Sequence, residues 1–359
     1  MSNLAITSLS KSYGAFKVFE GLDLTADAGE IVVIFGGSGT GKTILLRLIA
    51  GVEEPSSGRI ELNGEDASDI APEHRGIGMA FQNFALFPHM SASENIAAPL
   101  RASKSSTEKI ASGVARVAKL LKIDHVLGHA PRELSNGQKQ RTALARALAA
   151  EPKILLLDDP LRNVDAKLRF EMRLELPRLL RQSGATVLYV TQDYKEAMAL
   201  ADRIAVLAGG KFVQLASPED IYLRPATLNV AKLFGDPSIN TAETEVLVSG
   251  KQAHVNIQGA SVTLPMAYAF HVGRKVVFAV RPEAVVLSED GQGLECSVTA
   301  VTPLNERVVL LLKSTGGWEF LASLPSSAKV PYPGTMLRAS FEASGTHLFD
   351  QPTGERLHG

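Results

Sequence analysis

Short apolar segments alternate with helical patterns through the first two thirds of the chain. The segments GEIVVIFG, KILLLDD, ATVLYVT and RIAVLAGG are apolar and rich in strand-forming residues, which is typical of buried strands. The stretches between them carry apolar residues at helical spacing. This alternation predicts an α/β domain over residues 1–235.

A further helical pattern lies inside that domain, at residues 91–130. Apolar side chains recur there at the spacing of one helix face, for instance Val114, Val117, Ala118 and Leu121. We therefore expect a helical insertion within the α/β domain.

After the sequence FGDPSIN at residues 234–240, the pattern changes to short strands separated by turns. The segments VTLP, KVVFAVRP, VVLLLKSTGG and MLRASFEASG have this character. They predict an all-β domain over residues 236–359, built as a small OB-like barrel. Two domains also fit the length of 359 residues, which exceeds what one ordinary core holds.

Composition and charge narrow the class of protein. Hydrophobic residues make up 45% of the chain and charged residues 21%, which is typical of globular proteins. The formal net charge of −1 argues against a general nucleic-acid binder, whose surface would be strongly basic.

The single cysteine, Cys296, excludes an internal disulfide and fits a reducing compartment. The first residues lack the apolar core of a signal peptide, and no apolar run reaches about 18 residues. We therefore expect a cytoplasmic protein that reaches membranes only through partners.

The most specific motif is GGSGTGKT, which follows the apolar strand IVVIF and precedes the helical run ILLRLIAG. The pattern G-x-x-x-x-G-K-[ST] in this context is the phosphate-binding P-loop. Its glycines let backbone N–H groups turn towards phosphate oxygens at a helix N-terminus. Lys42 supplies a cation for the terminal phosphates, and the Thr43 hydroxyl is placed for Mg²⁺. A glycine-rich turn that binds nothing is the alternative, but it would require neither the spacing nor the context. The nucleotide-binding candidates of this loop are Gly36, Gly37, Ser38, Gly39, Thr40, Gly41, Lys42 and Thr43.

A second motif, LSNGQ at residues 134–138, precedes an amphipathic helix and the run KILLLDDP. With these motifs in order, the chain resembles the ATP-binding subunits of ABC transporters, whose signature is LSGGQ. The resemblance implies that the signature contacts ATP bound by the second subunit of a dimer, with Ser135 and Gly137 at the γ-phosphate. Ser135 also fits a helix cap, and the two roles are compatible. The signature residues of this chain are Ser135, Asn136, Gly137 and Gln138, of which Asn136 departs from the pattern.

Further positions match the family in order along the first domain. The resemblance implies that Tyr13 stacks on adenine, although a buried structural tyrosine is an alternative. It implies that Gln82 reaches Mg²⁺ and the attacking water, and that Asp158 helps to hold Mg²⁺. It also implies that Asp165 communicates across the dimer and that residues 85–90 receive the coupling helices of the membrane subunits. The resemblance implies ATP and Mg²⁺ as cofactors, and it implies that Mg²⁺ is bound by Thr43, Gln82 and Asp158.

Motifs in the second domain indicate the subfamily of ABC ATP-binding subunits that this chain resembles. VRPEAV at residues 280–285 and HLFDQPTGERL at residues 347–357 resemble motifs in the regulatory domain of carbohydrate-importer ATPases. The resemblance implies uptake of a sugar, polyol, glycerol or glycerol phosphate at the cytoplasmic face of the bacterial inner membrane. The implied partners are transmembrane permease subunits, a second ATP-binding subunit and, indirectly, a periplasmic or lipid-anchored solute-binding protein. An OB-like barrel also suggests oligonucleotide binding, but this segment has a slight acidic excess and few aromatic residues for base stacking, so we expect no nucleic-acid partner.

Three positions depart from the pattern of the family. Asp159 stands where relatives have the glutamate that orients or deprotonates the attacking water, and Gln192 stands where they have a histidine. Aspartate is one methylene shorter, and a misplacement of about 1 Å can slow a reaction roughly a hundredfold. Glutamine still donates a hydrogen bond to the γ-phosphate but carries no charge. Arg162 replaces a small serine in the loop before Asp165. The catalytic candidates are therefore Lys42, Gln82, Asp159 and Gln192.

Three hypotheses about function follow from these motifs. We favour an importer subunit in a heterodimer whose own site binds ATP and turns over slowly, because both catalytic positions change together. A homodimeric importer ATPase, in which Asp159 is the working base, is the alternative. A soluble ABC-type protein that acts in translation or repair fits less well, since those proteins usually carry two such modules in one chain.

Overall fold

The computed structural model describes residues 2–250, 252–258, 260–289 and 293–358. The chain divides into two compact units, Met1–Pro218 and Glu219–Gly359. The strands of the first unit are β1 (Ser2–Tyr13), β2 (Phe16–Asp27), β3 (Ile31–Phe35), β4 (Ser57–Leu62), β5 (Glu65–Asp66), β6 (Ile77–Ala80), β7 (Ile154–Asp158), β8 (Thr186–Thr191), β9 (Arg203–Ala208) and β10 (Lys211–Ala216). Its helices are α1 (Lys42–Ala50), α2 (Ala92–Ala102), α3 (Thr107–Leu120), α4 (Asn136–Leu148), α5 (Ala166–Ser183) and α6 (Tyr194–Leu200).

The strands of the first unit form an antiparallel sheet in the order β2-β1-β4-β5 and a mostly parallel sheet in the order β10-β9-β3-β8-β7-β6. Within the second of these sheets, β9, β3, β8, β7 and β6 run parallel, and β10 is antiparallel to β9. The carboxyl ends of parallel strands share one edge of a sheet, where ligands of open α/β folds bind. The segments that follow β3, β8, β7 and β6 therefore emerge side by side.

Helix α1 is anchored in the core that the two sheets share. Strands β3, β7 and β8 are buried along their whole length, as their continuous apolar runs predict. Leu45, Leu46 and Ile49 of α1 are fully buried against them and against the antiparallel sheet. Each such side chain contributes roughly 1.5–3 kcal/mol by leaving water. This packing fixes the N-terminus of α1, to which the P-loop leads.

The segment of the predicted helical insertion holds α2 and α3. Helix α2 begins with a capping box, in which Ser91 accepts a bond from the Glu94 N–H and the Glu94 carboxylate accepts one from the Ser91 N–H. The buried Asn95 side chain accepts a hydrogen bond from the Phe87 N–H at 2.8 Å and donates one to the Phe87 carbonyl at 3.2 Å. The backbone of Phe87 is thereby fixed to α2.

The second unit contains antiparallel sheets and short helices. Its sheets have the orders β13-β12-β11-β14-β20-β21 and β15-β19-β16-β17-β18. The helices are α7 (Pro218–Leu223), which begins at the boundary, and α8 (Leu228–Leu233). The strands are β11 (Asn240–Ser249), β12 (Gln252–Ile257), β13 (Ala260–Leu264), β14 (Lys275–Val280), β15 (Val285–Ser288), β16 (Leu294–Pro303), β17 (Arg307–Ser314), β18 (Glu319–Pro325), β19 (Met336–Phe341), β20 (Thr346–Asp350) and β21 (Arg356–Leu357).

Arg281 ties α7 and α8 to the strands of the second unit. Its guanidinium is buried and donates hydrogen bonds to the carbonyl oxygens of Tyr222, Ala231 and Phe234. It also lies 4.0 Å from the centroid of the Tyr222 ring, which is a cation–π contact. The boundary between the units, at residues 218–219, falls before the junction that the sequence predicts, and α8 belongs to the second unit.

The predicted order of fold classes is confirmed, since an α/β domain is followed by a β-rich domain with antiparallel sheets. Aromatic side chains fill part of the second core, where Trp318 and Phe320 stack with ring centroids 4.5 Å apart. None of the helices in the described part of the chain combines the length and apolar character needed to cross a bilayer.

Candidate functional site

The loop between β3 and α1 follows a path that requires glycine. Gly39 and Gly41 have φ angles of 78° and 94°, in the left-handed region that side chains disfavour. A Cβ atom on Gly36 would lie 2.6 Å from the Leu207 carbonyl oxygen. One on Gly41 would lie 2.6 Å from the Phe19 ring. The predicted P-loop therefore has the tight glycine-lined form that lets backbone N–H groups surround an anion.

Lys42 is the first residue of α1 and is buried. Its Nζ donates hydrogen bonds to the carbonyl oxygens of Gly36 at 2.8 Å and Gly37 at 2.6 Å. Burial lowers the pKa of this ammonium group, and the charges of Asp159 and Asp158 oppose that effect. The cation is thus held inside the loop where terminal phosphates would lie.

Thr43 and Asp158 form an oxygen pair beside the loop. The Thr43 hydroxyl donates a hydrogen bond of 3.0 Å to Oδ1 of Asp158, the last residue of β7. Burial raises the pKa of Asp158, and the bond from Thr43 works against that rise. Within the described residues, no cluster of three or more His, Cys, Asp or Glu side chains is arranged to hold a metal ion. The pair fits Mg²⁺, which takes one or two carboxylates and completes its shell with substrate phosphates and water.

Asp159 adopts a left-handed backbone conformation, with φ of 44°, directly after β7. Its N–H donates to the Val190 carbonyl of β8 at 2.9 Å, which fixes the turn. Its Oδ2 accepts a hydrogen bond of 3.4 Å from Gln192 Nε2 and lies 3.7 Å from Nη1 of Arg162. Burial raises the pKa of this carboxyl group, and the contacts with Gln192 and Arg162 lower it.

These side chains meet in one cavity of about 220 Å³ at the carboxyl edge of the parallel sheet. The strand order explains the convergence, because β3, β8, β7 and β6 are neighbours. The cavity brings together the predicted catalytic and metal-side residues Lys42, Thr43, Gln82, Asp158, Asp159 and Gln192. It is also lined by Ser38, Gly39, Gly41, Ile44, Arg162 and Val190.

The loop after Gln82 is held by contacts from two other elements. The Gln82 carbonyl oxygen accepts a hydrogen bond of 2.9 Å from the side chain of Asn163, which lies in the turn after Asp159. Arg146 of α4 donates to the carbonyl oxygens of Phe84 and Ala85 at 3.1 and 2.6 Å. Both of those residues have positive φ angles. The loop therefore connects the cavity with the helix that follows the signature.

The signature residues and Asp165 lie at helix N-termini and do not line this cavity. Ser135 caps α4 in a capping box with Gln138, and both Ser135 and Asn136 are exposed. Asp165 caps α5 by accepting a hydrogen bond of 2.9 Å from the Leu168 N–H. A Cβ on Gly137 would lie 2.6 Å from the Leu168 side chain, so α4 approaches α5 closely there.

Tyr13 is half-exposed at the end of β1 and is likewise outside the cavity lining. Its hydroxyl donates a hydrogen bond to the Glu53 carboxylate. The Lys11 ammonium lies 4.9 Å from the centroid of its ring. The exposure is not that of a buried structural tyrosine, and the role at adenine stays a prediction.

Glu196 of α6 lies beside this region, although none of the sequence motifs includes it. Glu196 is buried, and its Oε2 accepts hydrogen bonds from Tyr189 at 2.8 Å and Thr191 at 2.9 Å, next to Gln192. Burial raises the pKa of its carboxyl group to about 7, and the nearby carboxylates of Asp193 and Asp159 add to the rise. A glutamate on the same helix face as buried alanine and leucine was the available signal, since such positions are usually apolar.

Comparison with known proteins agrees with this geometry. The sequence profile of the family described as "ABC transporter" matches residues 19–162, and that of the "TOBE domain" matches residues 278–349. The chain is 40% identical to the "Alpha-glucoside transport ATP-binding protein AglK" of Rhizobium meliloti (strain 1021), over 98% of each protein. It is 40% identical to the "sn-glycerol-3-phosphate import ATP-binding protein UgpC" of Cereibacter sphaeroides, over 99% of this chain and 100% of that protein. It is 38% identical to the UgpC protein of Escherichia coli (strain K12), with the same coverage. The chain therefore belongs to the family of ABC transporter ATP-binding subunits that carry a TOBE domain.

Proposed function

We propose that this chain binds and hydrolyses ATP to energise an ABC importer for a sugar, polyol or glycerol-type solute. The observation that carries the proposal is the convergence of Lys42, Thr43, Asp158 and Asp159 on one cavity at the end of a glycine-lined loop. The solute class is supported by relatives named for α-glucoside transport and sn-glycerol-3-phosphate import, which match along nearly the whole chain.

Each side chain in the cavity has a task in the proposed reaction. The loop N–H groups and the Lys42 ammonium bind the terminal phosphates. Thr43 and Asp158 hold Mg²⁺, which supplies charge neutralisation when bound. The Asp159 carboxylate orients the attacking water and accepts its proton, assisted by Gln82. The Gln192 amide donates a hydrogen bond to the γ-phosphate.

We further propose that this site turns over slowly and that the chain works in a heterodimer. Asp159 is shorter than the glutamate of its relatives, and its carboxylate is paired with Arg162 and Gln192. Pairing with a cation makes a carboxylate a weaker base. In the mixed dimer, the second site uses the catalytic residues of the partner and borrows Ser135, Gly137 and Gln138 from this chain. One competent site then drives the cycle.

A homodimer is the second candidate, and the burial of Asp159 favours it. Burial raises the pKa of this carboxyl group and so makes its ionised form a stronger base. In that case the dimer hydrolyses ATP at two equal sites, and Asp159 is the base in each of them. A gene for a second ATP-binding subunit next to the permease genes would favour the heterodimer, and its absence would favour the homodimer.

We propose that the subunit is peripheral, at the cytoplasmic face of the bacterial inner membrane, where it docks on permease subunits. Residues 85–90 are the proposed docking surface. Phe87 is exposed there, while Asn95 and Arg146 hold the backbone around it. A rigid, partly apolar loop suits a permanent contact with another subunit. The solute-binding protein acts on the other side of the membrane and meets only the permease.

Binding of Mg-ATP to the purified chain tests the assignment of the cavity. Lys42→Ala should weaken binding at least about tenfold, because a buried cation at the phosphates is lost. Arg59→Gln is the matched control, since Arg59 is an exposed arginine of the same unit that pairs with Glu61 outside the cavity. Equal binding by all three proteins would refute the nucleotide site.

Uptake assays test the transport part of the proposal. Cells that express the chain with its permease subunits and, in the heterodimer, the second ATP-binding subunit should take up an α-glucoside, glycerol or sn-glycerol-3-phosphate. Lys42→Ala should reduce that uptake, because the dimer closes on two bound nucleotides. Unchanged uptake with the Lys42→Ala subunit would show that another protein energises the transporter.

A further inference from the structure

Arg162 brings a second cation into the cavity that holds Lys42. Both side chains line the same space, and the Arg162 side chain is about half-exposed. Its Nη1 lies 3.7 Å from Oδ2 of Asp159, which is an ion-pair distance longer than a hydrogen bond. The guanidinium therefore lies beside the proposed catalytic carboxylate without being locked onto it.

The backbone that carries Arg162 is firmly held. Its N–H donates to the Asp159 carbonyl at 3.2 Å, which closes the turn after β7. Arg169 of α5 donates to the carbonyl oxygens of Leu161, Arg162 and Val164 at 3.1–3.2 Å. Because the turn is fixed on both sides, the Cα of Arg162 keeps its place beside the cavity, and its side chain lines that space.

The charges in the cavity suit a ligand that brings further negative charge. Lys42 and Arg162 line the cavity with Asp158 and Asp159, and Asp158 is the proposed ligand of Mg²⁺, so two cations remain beside one other carboxylate. Lys42 and Arg162 are both positively charged and line the same small cavity, so the two cations repel each other. A terminal phosphate between them relieves this repulsion. Such a phosphate is present in ATP and absent from ADP.

We propose that Arg162 is a specificity-determining residue that contacts the γ-phosphate and makes this site prefer ATP to ADP. It supplies the positive charge that the neutral Gln192 lacks. The inference rests on the proposed function, namely nucleotide binding in this cavity, and it deepens that function by assigning the cation that senses the third phosphate.

The test compares the affinities of the full-length chain for the nonhydrolysable ATP analogue adenylyl imidodiphosphate and for ADP, each with Mg²⁺. Arg162→Gln should weaken binding of the triphosphate about five- to tenfold and change ADP binding less than about twofold, as expected for one half-exposed charge. Arg162→Lys should recover part of the preference. The preference of the unmodified chain should also fall as salt rises from about 0.05 M to about 0.5 M, and that of Arg162→Gln should fall less.

Arg59→Gln is the control, because it removes an arginine of similar exposure from the same unit and should leave the preference unchanged. If Arg162→Gln weakens both nucleotides equally or neither of them, Arg162 serves only as a partner of Asp159 and the inference is wrong. The Lys42→Ala variant separates this result from failure of the proposed function. If that variant still binds both nucleotides normally, the cavity is not the nucleotide site at all.

Discussion

Glu196 is a buried carboxyl group whose ionisation should make stability depend on pH. Its pKa rises from an ordinary value of 4.5 to about 7 on folding, chiefly through burial. Between these values the folded chain binds more protons at this group than the unfolded chain does. The stabilisation is therefore complete below pH 4.5 and is lost as pH rises towards 7.

We expect Glu196→Gln to remove this pH dependence. The free energy of unfolding of the unmodified chain, relative to that of the variant, should fall by roughly 2–3 kcal/mol between about pH 5 and pH 8. Denaturant unfolding at both pH values measures the difference. Glu171→Gln changes an exposed position of α5 and is the control. Its free energy of unfolding should depend on pH in the same way as that of the unmodified chain. Parallel curves for Glu196→Gln as well would show that Glu196 ionises normally.

The sequence motifs include the polar side chains that line the cavity, but they do not predict how these side chains pair. Asp158 ends a buried strand, and Lys42, Thr43 and Gln192 lie in segments that follow buried strands. The carboxyl ends of neighbouring parallel strands share one edge of the sheet, so these residues lie close together. The ion pair of Arg162 with Asp159 depends on side-chain conformations in a tight turn, which no spacing pattern encodes.

Helix α4 offers a test at the scale of one element. Its first turn is closed by the capping box of Ser135 and Gln138, with N–H···O distances of 2.9 and 3.3 Å. Ser135→Ala should lower the free energy of unfolding by about 1 kcal/mol, because an N–H group at the helix start loses its acceptor. Binding of Mg-ATP by the same chain should stay unchanged, since Ser135 is outside the cavity.

The neighbouring Asn136 provides the matched control for this helix. It is exposed, and it is the first residue of the same helix, so Asn136→Ala should change stability by less than about 0.5 kcal/mol. Calorimetry and nucleotide titration of both variants make the comparison. Equal losses for the two substitutions, or a loss of nucleotide binding with Ser135→Ala, would contradict the assignment of Ser135 as a cap outside the chain's own site.

Elements were predictable where they are long or carry a motif. The buried strands and the P-loop helix follow from continuous apolar runs and from GGSGTGKT. Helices α7 and α8 were not predicted, because six residues are too few to display a helical period. Their position depends instead on Arg281, whose bonds to their carbonyl oxygens join segments far apart in sequence.

The boundary between the units leads to a prediction about truncated chains. A chain that ends at residue 235 keeps α8 but loses Arg281 and the strands on which it packs. Ala231 is fully buried against Val277, Ala279 and Phe349 in the whole protein and would then be exposed. A chain that ends at residue 218 avoids this exposure and should stay monomeric at concentrations where the longer piece aggregates. Light scattering compares the two, and the opposite order of aggregation would place the boundary nearer to residue 235.

Steady-state ATPase activity tests the central claim, that this chain holds a nucleotide site with weakened catalytic power. The comparison is between the unmodified chain and the Asp159→Glu/Gln192→His double variant, each without a partner subunit. Restoring the longer carboxylate and the titratable imidazole should raise the rate at least about tenfold, because the base then reaches the water and the γ-phosphate gains a cationic donor. Adding Lys42→Ala to the double variant should abolish the gain. Equal rates for the unmodified chain and the double variant would contradict the account and make Asp159 an adequate base.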